Sequence, residues 1–168
     1  MHPVQHNKSL LYYLLVLPGN NHAYINHCRC CSFVGRVHQR YQPQGVSLGL
    51  GCVIDRIVLH ELGHVIGFHH EHNRPDRDDF IDVIFDNIWP LAKGHFYKYQ
   101  PGQTNTLGLG YDLHSIMHYR RNAASMSGSD TIRAKDPSVT SIGSSQQLTY
   151  LDIAKTNVLY NCPIIGEQ

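Results

Sequence analysis

The sequence predicts an α/β (α+β) fold, and three segments carry that prediction. Residues 46–49 follow a Pro-Gln-Gly turn and are typical of a short strand. Apolar residues recur at helical spacing over residues 55–69, where Asp55 is the candidate N-cap. A second helix is predicted over residues 149–160, because Thr149 and Asp152 have the spacing of a capping box. Two helices, a strand and irregular sequence in 168 residues are typical of one domain.

Charge and composition exclude several classes of function. The formal net charge is +1, from 14 Lys and Arg against 13 Asp and Glu. A chain this close to neutral has no general attraction for nucleic acid or for an anionic membrane. No apolar run reaches the length of a spanning helix. Residues 125–145 are rich in Ser and Gly and are predicted to form a surface loop.

The five cysteines indicate an oxidising compartment. Cys28, Cys30 and Cys31 form a cluster, Cys52 follows, and Cys162 lies near the C-terminus. Such a cluster serves either disulfides or a thiolate metal site. A thiolate site would use a second Cys-x-x-Cys pair, which this sequence does not contain. Disulfides are therefore the better interpretation, and they imply a secreted protein.

The first 23 residues are predicted to be a leader outside the domain. Residues 10–17 (LLYYLLVL) follow a lysine and end at Pro-Gly. This pattern resembles the apolar part of a signal peptide. The alternatives to a signal peptide are a buried strand, or another segment that does not belong to the domain.

A histidine motif predicts a zinc site. His60 and His64 lie four residues apart, so a helix places both imidazoles on one face, within reach of one ion. Gly67 and His70 complete the pattern H-E-x-x-H-x-x-G-x-x-H, in which the glycine turns the chain so that a third histidine reaches the metal. Five specified positions match a chain of this composition by chance about once in ten thousand times. A fortuitous match is therefore rejected, and one zinc ion per chain is expected.

Glu61 is the candidate general base. It follows the first ligand in the sequence and therefore projects beside the metal rather than onto it. Zinc lowers the pKa of a bound water toward about 7, so that this water can act as the nucleophile. A neighbouring carboxylate can take its proton and pass it to the leaving amine. The motif therefore predicts hydrolysis of peptide bonds.

The sequence around this motif resembles the astacins, a branch of the metzincin zinc peptidases. Residues 60–78 (HELGHVIGFHHEHNRPDRD) match the signature of that family, and residues 115–119 (SIMHY) match its Met-turn. Residues 28–36 (CRCCSFVGR) and 159–162 (LYNC) are similar to the tolloid subgroup. The resemblance implies a zincin-like catalytic domain with a twisted mixed sheet, a zinc helix and an irregular C-terminal subdomain. It implies a zinc metalloendopeptidase that acts on extracellular proteins.

The resemblance also implies roles for individual residues. Met117 would lie beneath the zinc as an apolar floor, and Tyr119 would bond the developing oxyanion. Glu71 would anchor the matured N-terminus through a buried salt bridge. Disulfides are implied between Cys30 and Cys52 and between Cys28 and Cys31, with Cys162 unpaired. The histidines that match no ligand position are expected to be surface or ordinary polar residues: His22, His27, His38, His95, His114 and His118.

The resemblance covers residues 24–162 and fails on the N-terminal side of them. Family members carry two strands, a long helix and a further cysteine there, whereas this chain has a short, dissimilar leader. Residues 24–168 are therefore expected to form a peptidase domain that lacks part of its N-terminal subdomain. Two functions follow from this. The first is an endopeptidase whose substrates, by analogy with the subgroup, are matrix precursors or growth-factor antagonists. The second is a truncated zinc-binding protein without peptidase activity.

Overall fold

The fold is described by a computed structural model over residues 30–36 and 44–162. Its helices and strands are β1 (Cys30–Ser32), β2 (Val46–Leu48), α1 (Asp55–Val65), β3 (Ile81–Val83), β4 (Ile132–Ala134) and α2 (Tyr150–Tyr160). Short 3-10 turns connect α1 to β3 and continue after β3. The predicted α+β class is confirmed. The predicted leader, Cys28, His22, His27 and His38 lie outside the described residues.

Two antiparallel strand pairs form the sheet structure of the described residues, where a mixed sheet was expected. Strand β1 pairs with β2, so that Cys30 lies opposite Leu48. A disulfide joins Cys30 to Cys52, which is fully buried just before α1. This bond confirms the first of the two implied disulfides. Cys31 is also disulfide-bonded, and its implied partner lies outside the described residues.

The second strand pair forms the apolar core. Strands β3 and β4 pair with Ile81 opposite Ala134. Ile81 and Ile132 are buried, and they pack in one cluster with Ile88, Phe96 and Ile142. The prediction of a surface loop over residues 125–145 is therefore wrong at its centre, where β4 lies. The strand is only three residues long, so the surrounding Ser and Gly hid its alternation of buried and exposed positions.

The zinc helix α1 ends at Val65, four residues before the predicted end. Gly67 has a φ of +111°, which glycine adopts without the strain of a Cβ. Its N–H donates to the His64 carbonyl (2.9 Å), and the Phe68 N–H donates to the Gly63 carbonyl (3.0 Å). These two bonds form a Schellman motif, which satisfies the last carbonyls of a helix. The chain therefore reverses here and returns toward α1.

The start of α1 also differs from the prediction. Its N-cap is Ile54, with no side-chain cap, so the predicted Asp55 cap is wrong. Asp55 lies in the first turn instead, where a carboxylate interacts favourably with the positive end of the helix dipole. Within the described part of the chain, no helix is long and apolar enough to cross a membrane.

Helix α2 begins with the predicted capping box. The Thr149 hydroxyl accepts from the Asp152 N–H, and the Asp152 carboxylate accepts from the Thr149 N–H, each at 3.0 Å. The apolar residues Ile153, Val158 and Leu159 do not form the buried face of α2, because all three are exposed. The buried side chains of α2 are Asp152 and Lys155. The helix therefore docks through hydrogen bonds and ion pairs.

Cysteine labelling tests the disulfide framework. Cys162 is a free and exposed thiol. We predict that alkylation of unreduced, denatured protein labels one cysteine, and that peptide mapping by mass spectrometry places the label on Cys162. Reduction before alkylation should label all five cysteines and serves as the control. Five labels without reduction would contradict the disulfides and the argument for an oxidising compartment.

Candidate metal centre

Three histidine side chains meet beside α1. His60 and His64 extend from the helix, and His70 follows the turn at its end. The Nε2 atom of His70 lies 3.2 Å from the Nε2 atoms of both His60 and His64. Zinc at about 2.0–2.1 Å from tetrahedral nitrogen ligands requires nitrogen separations of about 3.3–3.4 Å. The cluster therefore has the size of a zinc site.

The other ring nitrogens fix the orientation of two ligands. His60 Nδ1 lies 2.8 Å from the Ile116 carbonyl, and His64 Nδ1 lies 2.7 Å from the Phe68 carbonyl. Because a carbonyl only accepts, each Nδ1 carries the hydrogen and each Nε2 presents a lone pair to the centre. One hydrogen on His70 could satisfy only one of those lone pairs. A cation between the three nitrogens removes the remaining repulsion.

Burial keeps the three imidazoles in the form that binds metal. It is the largest cause that lowers the pKa of His60, His64 and His70 below the usual histidine value. The neighbouring imidazoles lower the pKa of His70 further. Zinc binds neutral imidazole, so the site does not first have to release protons. The residues present therefore fit the ion that the motif predicts.

Glu61 is buried next to this cluster, with 5% of its surface exposed. The Ser32 hydroxyl, on β1, lies 2.9 Å from Glu61 Oε2 and 2.8 Å from the Glu61 main-chain carbonyl. The Gly35 N–H donates to the His64 carbonyl at 2.8 Å. The chain after β1 therefore lies along α1. Sequence reasoning missed Ser32, because a serine 29 residues away has no spacing that marks it.

The Met-turn lies against α1 on the side of the ligands. Met117 is buried, and a Cβ added to Gly63 would lie 2.5 Å from its sulfur. Any larger side chain at position 63 would therefore displace Met117. This contact explains a glycine that the zinc motif itself does not specify. The proposed role of Met117 as an apolar floor stays a prediction.

A chain of hydrogen bonds connects α2 to the first zinc ligand. Asp152 accepts from the Ser115 hydroxyl (2.6 Å) and from the Ile116 N–H (3.0 Å). The Ile116 carbonyl then accepts from His60 Nδ1. The sequence predicted Asp152 only as a cap. In the structure its carboxylate also holds the loop that orients His60.

Asp152→Asn tests this arrangement. An amide puts an N–H where the carboxylate now accepts, so a buried donor is left unsatisfied. We expect the free energy of unfolding to fall by about 3 kcal/mol. The substitution weakens the hydrogen bonds that hold Ile116, whose carbonyl orients His60. We therefore expect zinc affinity to fall about 10-fold. Urea unfolding and a competitive zinc titration measure the two effects.

Asp136→Asn is the matched control for Asp152→Asn. Asp136 also accepts a serine hydroxyl and a main-chain N–H, but it is exposed, and both bonds come from Ser138 rather than from the loop that orients His60. We expect this variant to change neither measurement appreciably. Equal effects of the two substitutions would show that Asp152 has no special connection to the metal centre.

Tyr119 follows the Met-turn and packs beside the third ligand. Its ring stacks on His72, with centroids 4.1 Å apart, and lies 4.6 Å from the ring of His70. Burial raises the pKa of Tyr119. The phenol therefore keeps its proton at neutral pH and can donate a hydrogen bond. The structure brings Tyr119 to the centre that the sequence predicted.

Other histidines differ in their environments. His95 and His114 are exposed, as expected. His118 is buried rather than on the surface, and its Nε2 lies 2.8 Å from the Tyr111 hydroxyl. His72 was not singled out, yet it is fully buried. Burial lowers the pKa of His72 to about 3 and that of His118 to about 4, so both are neutral packing residues.

Glu71 is paired within the chain. Its Oε2 accepts from Lys155 at 2.6 Å, and its Oε1 accepts from Arg74 and from the Asp112 N–H, both at 3.0 Å. The expected salt bridge to the matured N-terminus involves residues outside the described ranges and stays a prediction. Sequence reasoning missed both cations. Lys155 is 84 residues away, so no local pattern indicates the pair.

The described geometry agrees with a match to a known family. A sequence model of the Astacin peptidase family matches residues 16–161. The chain belongs to the astacin family. This membership, together with the three clustered imidazoles, makes zinc the metal of the site.

Relatives of this astacin-family chain include tolloid proteins. Tolloid-like protein 1 of Homo sapiens is 47% identical over 144 residues, which are 83% of this chain and 14% of that protein. Bone morphogenetic protein 1 of Xenopus laevis is 46% identical over 144 residues, which are 83% of this chain and 20% of that protein. The chain thus spans a fifth or less of the length of these two curated relatives. The predicted resemblance to the tolloid subgroup is confirmed.

A solved structure supports the same fold. High choriolytic enzyme 1, a hatching enzyme zinc-protease from Oryzias latipes, matches with a TM-score of 0.72 and 38% sequence identity. The match covers 80% of this chain and 65% of that chain. The predicted fold class is therefore supported by both the sequence and the structure of relatives.

Proposed function

We propose that this astacin-family chain is an active zinc endopeptidase that hydrolyses internal peptide bonds of extracellular proteins. The observation that carries the proposal is the buried Glu61 carboxylate beside three imidazoles of matched spacing. Three protein ligands leave the fourth position of a tetrahedral zinc for water or substrate. A site of this composition suits hydrolysis better than a purely structural role, which would use four protein ligands.

The residues of the chain divide the chemistry between them. Zinc, when bound, supplies a Lewis acid that acidifies water and polarises the scissile carbonyl. Glu61 takes the proton of the attacking water and delivers it to the leaving amine. Tyr119 donates a hydrogen bond to the oxyanion that develops on the substrate carbonyl. The carbonyls of Ile116 and Phe68 keep His60 and His64 in their orientations.

Extracellular action is supported by the cysteines. The Cys30–Cys52 disulfide and the bonded Cys31 are typical of an oxidising compartment. The substrate class that we propose, matrix precursors or growth-factor antagonists, rests on analogy with the tolloid relatives. That analogy concerns proteins several times longer than this chain.

Zinc stoichiometry and peptide cleavage on the purified, oxidised 168-residue chain test the proposal. We expect one zinc per chain, and cleavage of a protein substrate at internal bonds that mass spectrometry identifies. A chelator should abolish cleavage, and added zinc should restore it. His64→Ala should lose both the metal and the activity. One bound zinc without cleavage would favour the alternative, a truncated zinc-binding protein without peptidase activity.

A further inference from the structure

We infer that Ser32 is a positioning residue for the general base, because its hydroxyl holds the Glu61 carboxylate from strand β1. This inference rests on the proposed function, in which Glu61 moves the proton. The Ser32 hydroxyl lies 2.9 Å from Glu61 Oε2. No hydrogen bond holds Oε1 among the residues that the structure describes. One carboxylate oxygen is therefore fixed while the other remains free to accept a proton.

The strength of this contact follows from charge and burial. Glu61 is 95% removed from solvent, so little water is available to replace the hydroxyl as a donor. The Ser32 hydroxyl has one hydrogen and two acceptors within reach, the carboxylate and the Glu61 main-chain carbonyl. A charged acceptor forms the stronger hydrogen bond. The hydrogen therefore goes mainly to the carboxylate.

Ser32 can position Glu61 only if its own place is fixed, and three attachments fix it. Ser32 pairs with Val46 in the β1–β2 ladder. The Cys30–Cys52 disulfide connects β1 to the segment just before α1. After β1, the Gly35 N–H bonds the His64 carbonyl, three residues beyond the carbonyl that Ser32 contacts. Two bonds to neighbouring carbonyls on one side of α1 prevent β1 from sliding along the helix.

Strand β1 thus acts as a rigid support for a side chain on another element. Proton transfer depends steeply on the placement of the base, and a displacement of about 1 Å can cost about 100-fold in rate. Without the hydroxyl, the Glu61 side chain could rotate about its own bonds while His60 and His64 stay in place. The expected defect is therefore in turnover and not in metal or substrate binding.

Kinetics of three variants of the zinc-loaded 168-residue chain test this role. We expect Ser32→Ala to keep one zinc and its KM, and to lower kcat about 10-fold or more. Ser32→Thr keeps the hydroxyl and suits a strand, so it should recover most of the rate. Ser138→Ala removes a serine hydroxyl that bonds a carboxylate at the protein surface, and this variant should behave like the parent. The absorption spectrum of the cobalt-substituted protein should be the same in all three variants.

A double-mutant cycle tests the contact without any need for activity. Unfolding midpoints are compared for Ser32→Ala, Glu61→Ala and the double variant. We expect the unfolding midpoint of the double variant to fall by less than the sum of the two decreases in the single variants, because each single substitution already removes the same hydrogen bond. An inactive parent would refute the proposed function, whereas the cycle would still decide whether Ser32 and Glu61 interact.

Several results would overturn the inference. Additive unfolding midpoints would show that the two side chains do not interact. Unchanged kcat in Ser32→Ala, or a raised KM alone, would show that the hydroxyl does not position the base. Loss of zinc in that variant, or failure of Ser32→Thr to recover activity, would indicate a purely structural role.

Discussion

Glu61→Gln is expected to keep one zinc per chain and to lower kcat by about 10²–10⁴. The amide has the shape of the carboxylate but cannot take a proton from water. Glu61 ligates nothing in the cluster of His60, His64 and His70, so the metal should remain. Zinc content by elemental analysis and kcat with a fluorogenic peptide, measured on the same preparation, check both parts.

The matched control for Glu61→Gln is Asp55→Asn, which removes a negative charge from the exposed start of the same helix. This control should retain the parent kcat. If Glu61→Gln lost zinc, Glu61 would be a ligand and the proposed division of roles would be wrong. If both variants lost activity equally, the effect would come from the charge of α1 rather than from the base.

Tyr119→Phe is expected to lower kcat about 100-fold while zinc content and the fold are retained. Phenylalanine preserves the ring that packs on His72 and His70, and it removes only the hydroxyl. A single oxyanion donor is worth about 10²–10³ in kcat in other enzymes, and zinc carries part of the same charge here. The proposed bond to the oxyanion would form only in the transition state, so kcat and kcat/KM should fall together.

Tyr97→Phe controls for the loss of a phenol elsewhere, since Tyr97 is exposed. Tyr97→Phe should leave kcat and kcat/KM unchanged. A raised KM with unchanged kcat in Tyr119→Phe would mean that the hydroxyl helps substrate binding alone. The oxyanion role that the family resemblance implies would then not apply to this chain.

The parts of the site that the sequence predicted are those with local spacing. His60 and His64 are one helical turn apart, and Gly67 with His70 follows within six residues, so the motif itself contains the geometry. The capping box at α2 is equally local, and it was confirmed bond by bond. In both places the interacting residues are close in sequence, so helical geometry brings them together, with the turn at Gly67 returning His70 to the helix.

The parts that the sequence did not predict depend on contacts between distant segments. The pairing of Lys155 with Glu71 spans 84 residues, and that of Ser32 with Glu61 spans 29. The spacing of apolar residues predicts which side of a helix is buried only when the buried side chains are themselves apolar. Helix α2 buries Asp152 and Lys155 instead, because ion pairs and hydrogen bonds offset the loss of their hydration.

The support behind His60 has a consequence for the order of folding. His60 bonds a carbonyl 56 residues later in the chain, and the Ile116 N–H in that loop bonds Asp152 a further 36 residues on. A contact over such a separation forms only after the chain has lost the conformational entropy of closing a long loop. The contact stabilises the protein only from that point on. Helix α1 can form early, since its bonds are local, but the first imidazole is oriented only after α2 has docked. On the ribosome, a nascent chain that ends soon after residue 70 would contain the whole histidine motif, but the His60 imidazole would not yet be oriented. Tight metal loading is therefore expected after residues 149–155 have been synthesised and have folded onto the Met-turn.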